Sequence, residues 1–297
     1  MNYTIKKLTI FIVASLCCCL GYAQKTKRTT GEYIYVIPKN ISQEEAERIA
    51  LERAKQDAID KEFGTLISRT NITRQENHNG ESKIDLSSLG QSLSKGEWVR
   101  TIGNPEITTF RTEDGMFAVK CKIKGVVREI TSAKAEFRTK VLRNGKDERF
   151  ESTDFKDGDQ LFMSFQTPKD GYVAIYLLGA DHNVTCLLPY ASDEDGKEPV
   201  KHGENYIFFE PKESLVDGWI RIADDRSNDI FLTCEENTEI NKMYIIFSPN
   251  PFTKAVDFKN KNGVRFLPEI DFLKWLGECR SIDSQMAVET IDIRISK

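Results

Sequence analysis

Residues 157–189 read DGDQLFMSFQTPKDGYVAIYLLGADHNVTCLLP, and the fold follows from how this stretch is punctuated. Three apolar runs, Gln160–Thr167, Tyr172–Leu178 and Val184–Leu188, are separated by the turn-forming clusters Pro168-Lys169-Asp170-Gly171 and Asp181-His182-Asn183. Runs this short are consecutive strands rather than core helices. The rhythm continues through Tyr206–Phe209, Trp219–Ile222, Ile230–Cys234 and Met243–Ser248. Many short strands with regular turns predict a sandwich-like β domain. Upstream, Asn144-Gly145 is a two-residue hairpin turn and predicts pairing of Glu136–Leu142 with Asp147–Phe150. Downstream, Glu269–Cys279 predicts a helix that covers an apolar surface through Phe272, Leu273, Trp275 and Leu276. Ala287–Ile295 then predicts a closing strand at a sheet edge.

The composition changes near Ile130–Lys134, and what precedes is of another kind. Ser42 with Glu45 forms a capping box, and Ile41 before Ala46 a hydrophobic staple, so a helix starts at Gln43. It runs to about Phe63 and carries Ala46, Ala50, Ala54 and Ala58 at four-residue spacing, a row small enough to lie close against a sheet. Its charged residues read as a solvated face. Tyr33–Ile37 predicts a short strand after a polar leader, residues 24–31. The Asn-, Ser- and Gln-rich stretch 68–95 predicts a long loop with a helical turn at Ile84–Leu89. Strands follow at Trp98–Ile102, Glu106–Arg111 and Met116–Lys124, the last with Phe117, Val119, Cys121 and Ile123 inward and Lys120, Lys122 and Lys124 outward. The expected fold class is therefore α+β. A helix-plus-meander module spans residues 24–130, and a mainly β, sandwich-like domain with a C-terminal helix and strand spans 131–297.

Residues 1–23 read as a secretory signal peptide. Lys6 and Lys7 precede an apolar run, Leu8–Leu20, and Gly21-Tyr22-Ala23 supplies small residues for cleavage between Ala23 and Gln24. The run is short for a permanent span, and no second apolar run of spanning length follows. Cys17, Cys18 and Cys19 invite a lipoprotein reading, but Leu16 or another cysteine precedes each, where lipidation wants a small residue. Removing the segment takes two lysines and no acid, moving the formal net charge from −4 to −6. A mildly acidic chain lacks the basic footprint of a nucleic-acid binder.

A search for chemistry leaves few candidates. Cys121, Cys186, Cys234 and Cys279 each align with apolar neighbours, which predicts buried structural cysteines, reduced or paired; four cysteines allow three pairings. His78, His182 and His202 stand in turn-like contexts, and Cys186 is separated from His182 by intervening strand. Phosphate loops, zinc helices and nucleophile elbows are absent. In the acidic loop Ala191–Gly203, setting Gly196 at the sixth position of a helix-loop-helix calcium site puts Ala191 first and His202 twelfth, where oxygen ligands are needed. Only an irregular site through Asp193, Asp195 and Glu198 is left beside the simpler reading of a solvated loop. No catalytic residue, metal site or cofactor is expected.

Asp157-Gly158-Asp159-Gln160-Leu161, Asp170-Gly171-Tyr172-Val173-Ala174-Ile175-Tyr176 and Val184–Pro189, followed by Met243–Phe252, resemble in order the pieces of an exported bacterial module, domain of unknown function 4384, over about residues 134–255. The loop Ala191–Gly203 and the C-terminal helix and strand depart from it. The Ser-x-x-Glu-Ala-x-x-x-Ala helix with its meander is similar to the N-terminal domain of flagellar assembly protein T and related envelope lipoproteins. These resemblances imply envelope proteins that bind or assemble. The expectation is an exported, non-enzymatic cell-envelope protein, periplasmic, associated with the outer envelope or secreted, whose partner is an envelope protein or a glycan and not nucleic acid. The alternative is a secreted hydrolase or accessory subunit using Cys186 or an acidic pair in the 191–203 loop.

Overall fold

The computed structural model describes residues 26–38, 41–65, 75–78, 81–84, 94–130, 133–190, 196–210, 213–216, 219–222, 229–260 and 263–297. The chain forms two compact units, residues up to 62 with 96–129, and 63–95 with 130–297. In chain order it begins with strand β1 (Thr26–Val36), helix α1 (Gln43–Phe63) and a hairpin of β2 (Gln75–His78) and β3 (Glu81–Ile84). Strands β4 (Gly96–Thr101), β5 (Glu106–Arg111) and β6 (Phe117–Glu129) follow.

In the first unit β6 is the spine. β1 pairs along one edge from Thr26↔Arg128 to Val36↔Ala118, and β5 and β4 share the other edge end to end. Residues 26–31 thus belong to an 11-residue strand rather than to a polar leader, because Thr and Arg side chains suit an exposed sheet face and the hydrogen bonds are made by backbone. Val119, Cys121 and Ile123 pack with Ala46, Ala50 and Ala54 of α1 as the alternation predicts. Phe117 does not: it is half exposed, under the Arg111 guanidinium at 4.5 Å. The alanine row brings α1 so near that a Cβ on Gly31 would sit 1.7 Å from the Ala54 carbonyl oxygen. The capping box forms by half. Glu45 N–H donates to Ser42 Oγ (3.2 Å), while the Glu45 carboxylate turns to Arg48 (2.6 Å), which lowers its pKa.

The second unit holds β7 (Arg138–Arg143), β8 (Asp154–Lys156), β9 (Asp159–Gln166), β10 (Gly171–Leu178), β11 (Asn183–Leu188), β12 (Glu198–Val200) and β13 (Asn205–Phe208). The hairpin β14 (Glu213–Val216) and β15 (Trp219–Ile222) is followed by β16 (Ile230–Leu232), β17 (Thr238–Ser248), β18 (Phe258–Lys259), β19 (Arg265–Pro268), helix α2 (Glu269–Ile282) and β20 (Ala287–Ser296). The large sheet runs β18-β19-β11-β10-β17-β20-β8, with β12 also on β10. In the small sheet β9 is central, bonded to β7 on one edge and to β13 and β16 on the other.

Alternation divides the side chains between two cores. Val173, Ile175, Met243, Ile245 and Phe247 of the large sheet meet Val141, Leu161, Met163, Phe165 and Phe208 of the small one. On the other face Ala174, Tyr176, Tyr244 and Ile246 meet Phe272, Leu273 and Leu276 of α2, so the helix covers an apolar surface as expected. Phe272 is fully buried, 4.9 Å from the rings of both Tyr176 and Tyr244. One expectation is corrected. Residues Glu148–Phe150 form a 3-10 turn instead of a hairpin strand: the chain returns to β7 only at the bridge Leu142↔Glu151, and Asn144 (φ 57) bonds Asp159 and Gln160 of β9. β20 closes the large sheet against β17 as expected, and β8 pairs in parallel with its last three residues only, Arg294–Ser296. The anticipated loop 68–95 contains the hairpin β2–β3, whose second strand includes Ile84; residues 85–93, where the rest of the helical turn was expected, lie outside the described residues.

Candidate functional site

The small sheet buries one face in the sandwich core; on the other, Leu142 and Phe162 are also buried, and register decides what the two neighbouring rows display toward solvent. Arg138 stands opposite Gln166, which stands opposite Asn205; one step along, Lys140, Ser164 and Ile207 make a second row across the same three strands. These residues alternate with Thr139, Phe165 and Tyr206, and with Val141, Met163 and Phe208, of which Val141, Met163, Phe165 and Phe208 lie in the sandwich core. The two outward rows floor an open groove of about 930 Å³, which Lys134, Lys146, Glu148 and Glu289 also line. The wall bearing Lys146 and Glu148 is the segment that refused to be a strand.

Its electrostatics are uneven. Lys140 binds Glu148 (2.8 Å) and Glu151 (3.5 Å), and the bond to Glu148 raises its pKa. Lys146 binds Glu210 at 2.5 Å. Arg138 and Lys134 have no acidic partner within ion-pair distance among the described residues. Tyr206 is held by its hydroxyl, which donates to Glu204 (2.7 Å) and accepts from Lys201 N–H (2.9 Å), while its ring stacks on Phe208 at 5.8 Å. The groove therefore offers side-chain donors and two uncommitted cations on strands bonded into a sheet, which suits recognition of a polar or anionic ligand.

The residues singled out by sequence fall elsewhere. Ala23, Gln24, Cys17, Cys18 and Cys19, and likewise Asp193 and Asp195, lie outside the described residues. Glu198 opens β12, opposite Val173. Among the described residues, no three His, Cys, Asp or Glu side chains group as metal ligands. Cys121, Cys186, Cys234 and Cys279 are free thiols; the first three are buried and Cys279 partly so. Burial pushes the Cys186 and Cys279 thiols each up to about 11. His78 closes β2. His182, at the β10–β11 turn, puts Nδ1 2.8 Å from the buried carboxylate of Glu269 and accepts the Glu269 N–H, so it anchors the start of α2. His202 meets Asp170 through ring (2.9 Å) and N–H (2.8 Å), which together lower the Asp170 pKa. None of the groove residues was marked by sequence. Arg138, Gln166 and Asn205 are ordinary outward strand residues until pairing aligns them.

By its architecture the chain is a mostly β, α+β protein with sandwich-like sheets. A family model, Domain of unknown function (DUF4384), matches residues 154–214, a narrower span than the 134–255 expected from the residues. The match takes in Ser164, Gln166, Asn205 and Tyr206 of the groove; Arg138 and Lys140 lie before it. Comparison with curated proteins and with solved structures found no match. No described helix is long and apolar enough to cross a membrane.

Proposed function

We propose that this is an exported, non-enzymatic protein of the cell envelope with a binding or assembly role, and that the groove over the small sheet is its ligand surface. The observation that carries the reading is the pair of cross-strand rows, Arg138–Gln166–Asn205 and Lys140–Ser164–Ile207, which present polar groups toward solvent from strands bonded into a sheet. The signal-like residues 1–23 support export, and the resemblance of the first module to flagellar assembly protein T and envelope lipoproteins supports an assembly setting. The Cys186 form of the hydrolase alternative loses force because that thiol is buried and, pushed up to about 11, stays protonated at neutral pH, whereas the thiolate is the nucleophile.

Capture from the protein's own envelope, comparing wild type with Arg138→Glu, tests the groove. Loss of the captured component supports the reading; equal capture removes the groove from it. Fractionation with N-terminal mass determination tests export: the mature chain begins at Gln24, and lipid on Cys17, Cys18 or Cys19 would replace a free protein with an anchored one. Reproducible turnover abolished by Cys186→Ala would overturn the non-enzymatic reading.

A further inference from the structure

We infer that the groove recognises a carboxylate-bearing sugar, an oligosaccharide containing uronic acid; this rests on reading that groove as the ligand surface. Charge is the first argument. Lys140 and Lys146 are neutralised by Glu148, Glu151 and Glu210, whereas Arg138 is exposed and has no acidic partner among the described residues. Its planar guanidinium matches a carboxylate with two parallel hydrogen bonds. Beside it in the same row stand the amides of Gln166 and Asn205. Each amide both donates and accepts, the combination that neighbouring ring hydroxyls require. At the β13 end the groove turns apolar at Ile207, which offers a surface to the C–H face of a sugar.

An acidic peptide would share the charge but not the geometry. Extended peptides bind by adding to a sheet edge through main-chain hydrogen bonds. The floor here is a sheet face whose central strand, β9, is bonded along both edges, so the donors on offer are side chains. The volume, about 930 Å³, lies at the upper end of small-molecule sites and has room for more than one sugar ring.

Calorimetric titration of the full mature chain with trigalacturonate, with its uncharged counterpart galactotriose and with a hexaglutamate peptide decides the matter. Trigalacturonate binds best, and Arg138→Ala, with its thermal melt unchanged, weakens it about 10-fold or more while leaving galactotriose little affected. Gln166→Ala and Asn205→Ala weaken both sugars. The inference is overturned if trigalacturonate binds no better than galactotriose, or if hexaglutamate binds equally well with the same dependence on Arg138, which would make this a simple anion site. If trigalacturonate fails while Arg138→Glu still abolishes envelope capture, the sugar inference falls and the groove stands as ligand surface. If both fail, both readings fall.

Discussion

Gly31→Ala is the sharpest perturbation of the first unit. The added methyl would lie 1.7 Å from the Ala54 carbonyl oxygen and 2.9 Å from the Ala58 Cβ. The nearer obstacle is helix backbone, which cannot rotate aside as a long side chain can. To restore even a 3.0 Å separation, α1 must withdraw by more than 1 Å at this crossing. A gap of ~0.5–1 Å already forfeits about a quarter to a half of each dispersion contact. Ala46, Ala50, Ala54 and Ala58 are all fully buried and have no longer arm with which to refill the space. The cost therefore falls at the upper end of overpacking, about 3 kcal/mol. Hydrogen exchange of the amides in residues 43–63, read by mass spectrometry alongside the urea midpoint, measures it. A change below about 0.5 kcal/mol, the range of ordinary surface substitutions, would refute the close docking of α1 on β1.

In the second unit, Phe272→Ala removes a fully buried ring from between Tyr176 and Tyr244 and costs about 3–5 kcal/mol, while Ile282→Ala, at an exposed helix end, is near neutral; thermal melts compare them. Asp170, hydrogen-bonded by His202, titrates below the usual carboxylate value, so the bond's contribution is present at neutral pH and is lost as pH falls through the depressed pKa. Carboxyl NMR checks it: His202→Ala removes the ring bond but keeps the backbone N–H, so the midpoint moves part of the way upward, and an unmoved midpoint removes the ring bond. The Cys186 thiol, at about 11, resists iodoacetamide at pH 7.5 until the protein is unfolded. Rapid labelling of native protein at that site would show it is neither buried nor protonated.

Local chemistry made much of this fold legible. Alternation in β6, β10 and β17 and the alanine row of α1 are periodicities of the chain itself, and they identify buried faces before any partner is known. Ser42 and the turn residues Asp181-His182-Asn183 mark element boundaries for the same reason. Partnership is another matter, because it sums contacts between residues far apart in the chain. Local sequence favours Asn144-Gly145 as the turn of a tight hairpin, yet β7 pairs along its length with the distant β9, the local return is one bridge at Leu142↔Glu151, and Glu148 of the intervening 3-10 turn lines the groove. The closing strand β20 is legible from its own residues, but that β17 is its partner and that the short parallel β8 covers its last three residues is decided by the fold. His182 reads as a turn residue until the fold sets the buried carboxylate of Glu269 beside it, 87 positions along. The groove is the extreme case. Arg138, Gln166 and Asn205 carry no shared signal in sequence, and their alignment comes from the register of three strands, which tertiary packing alone decides.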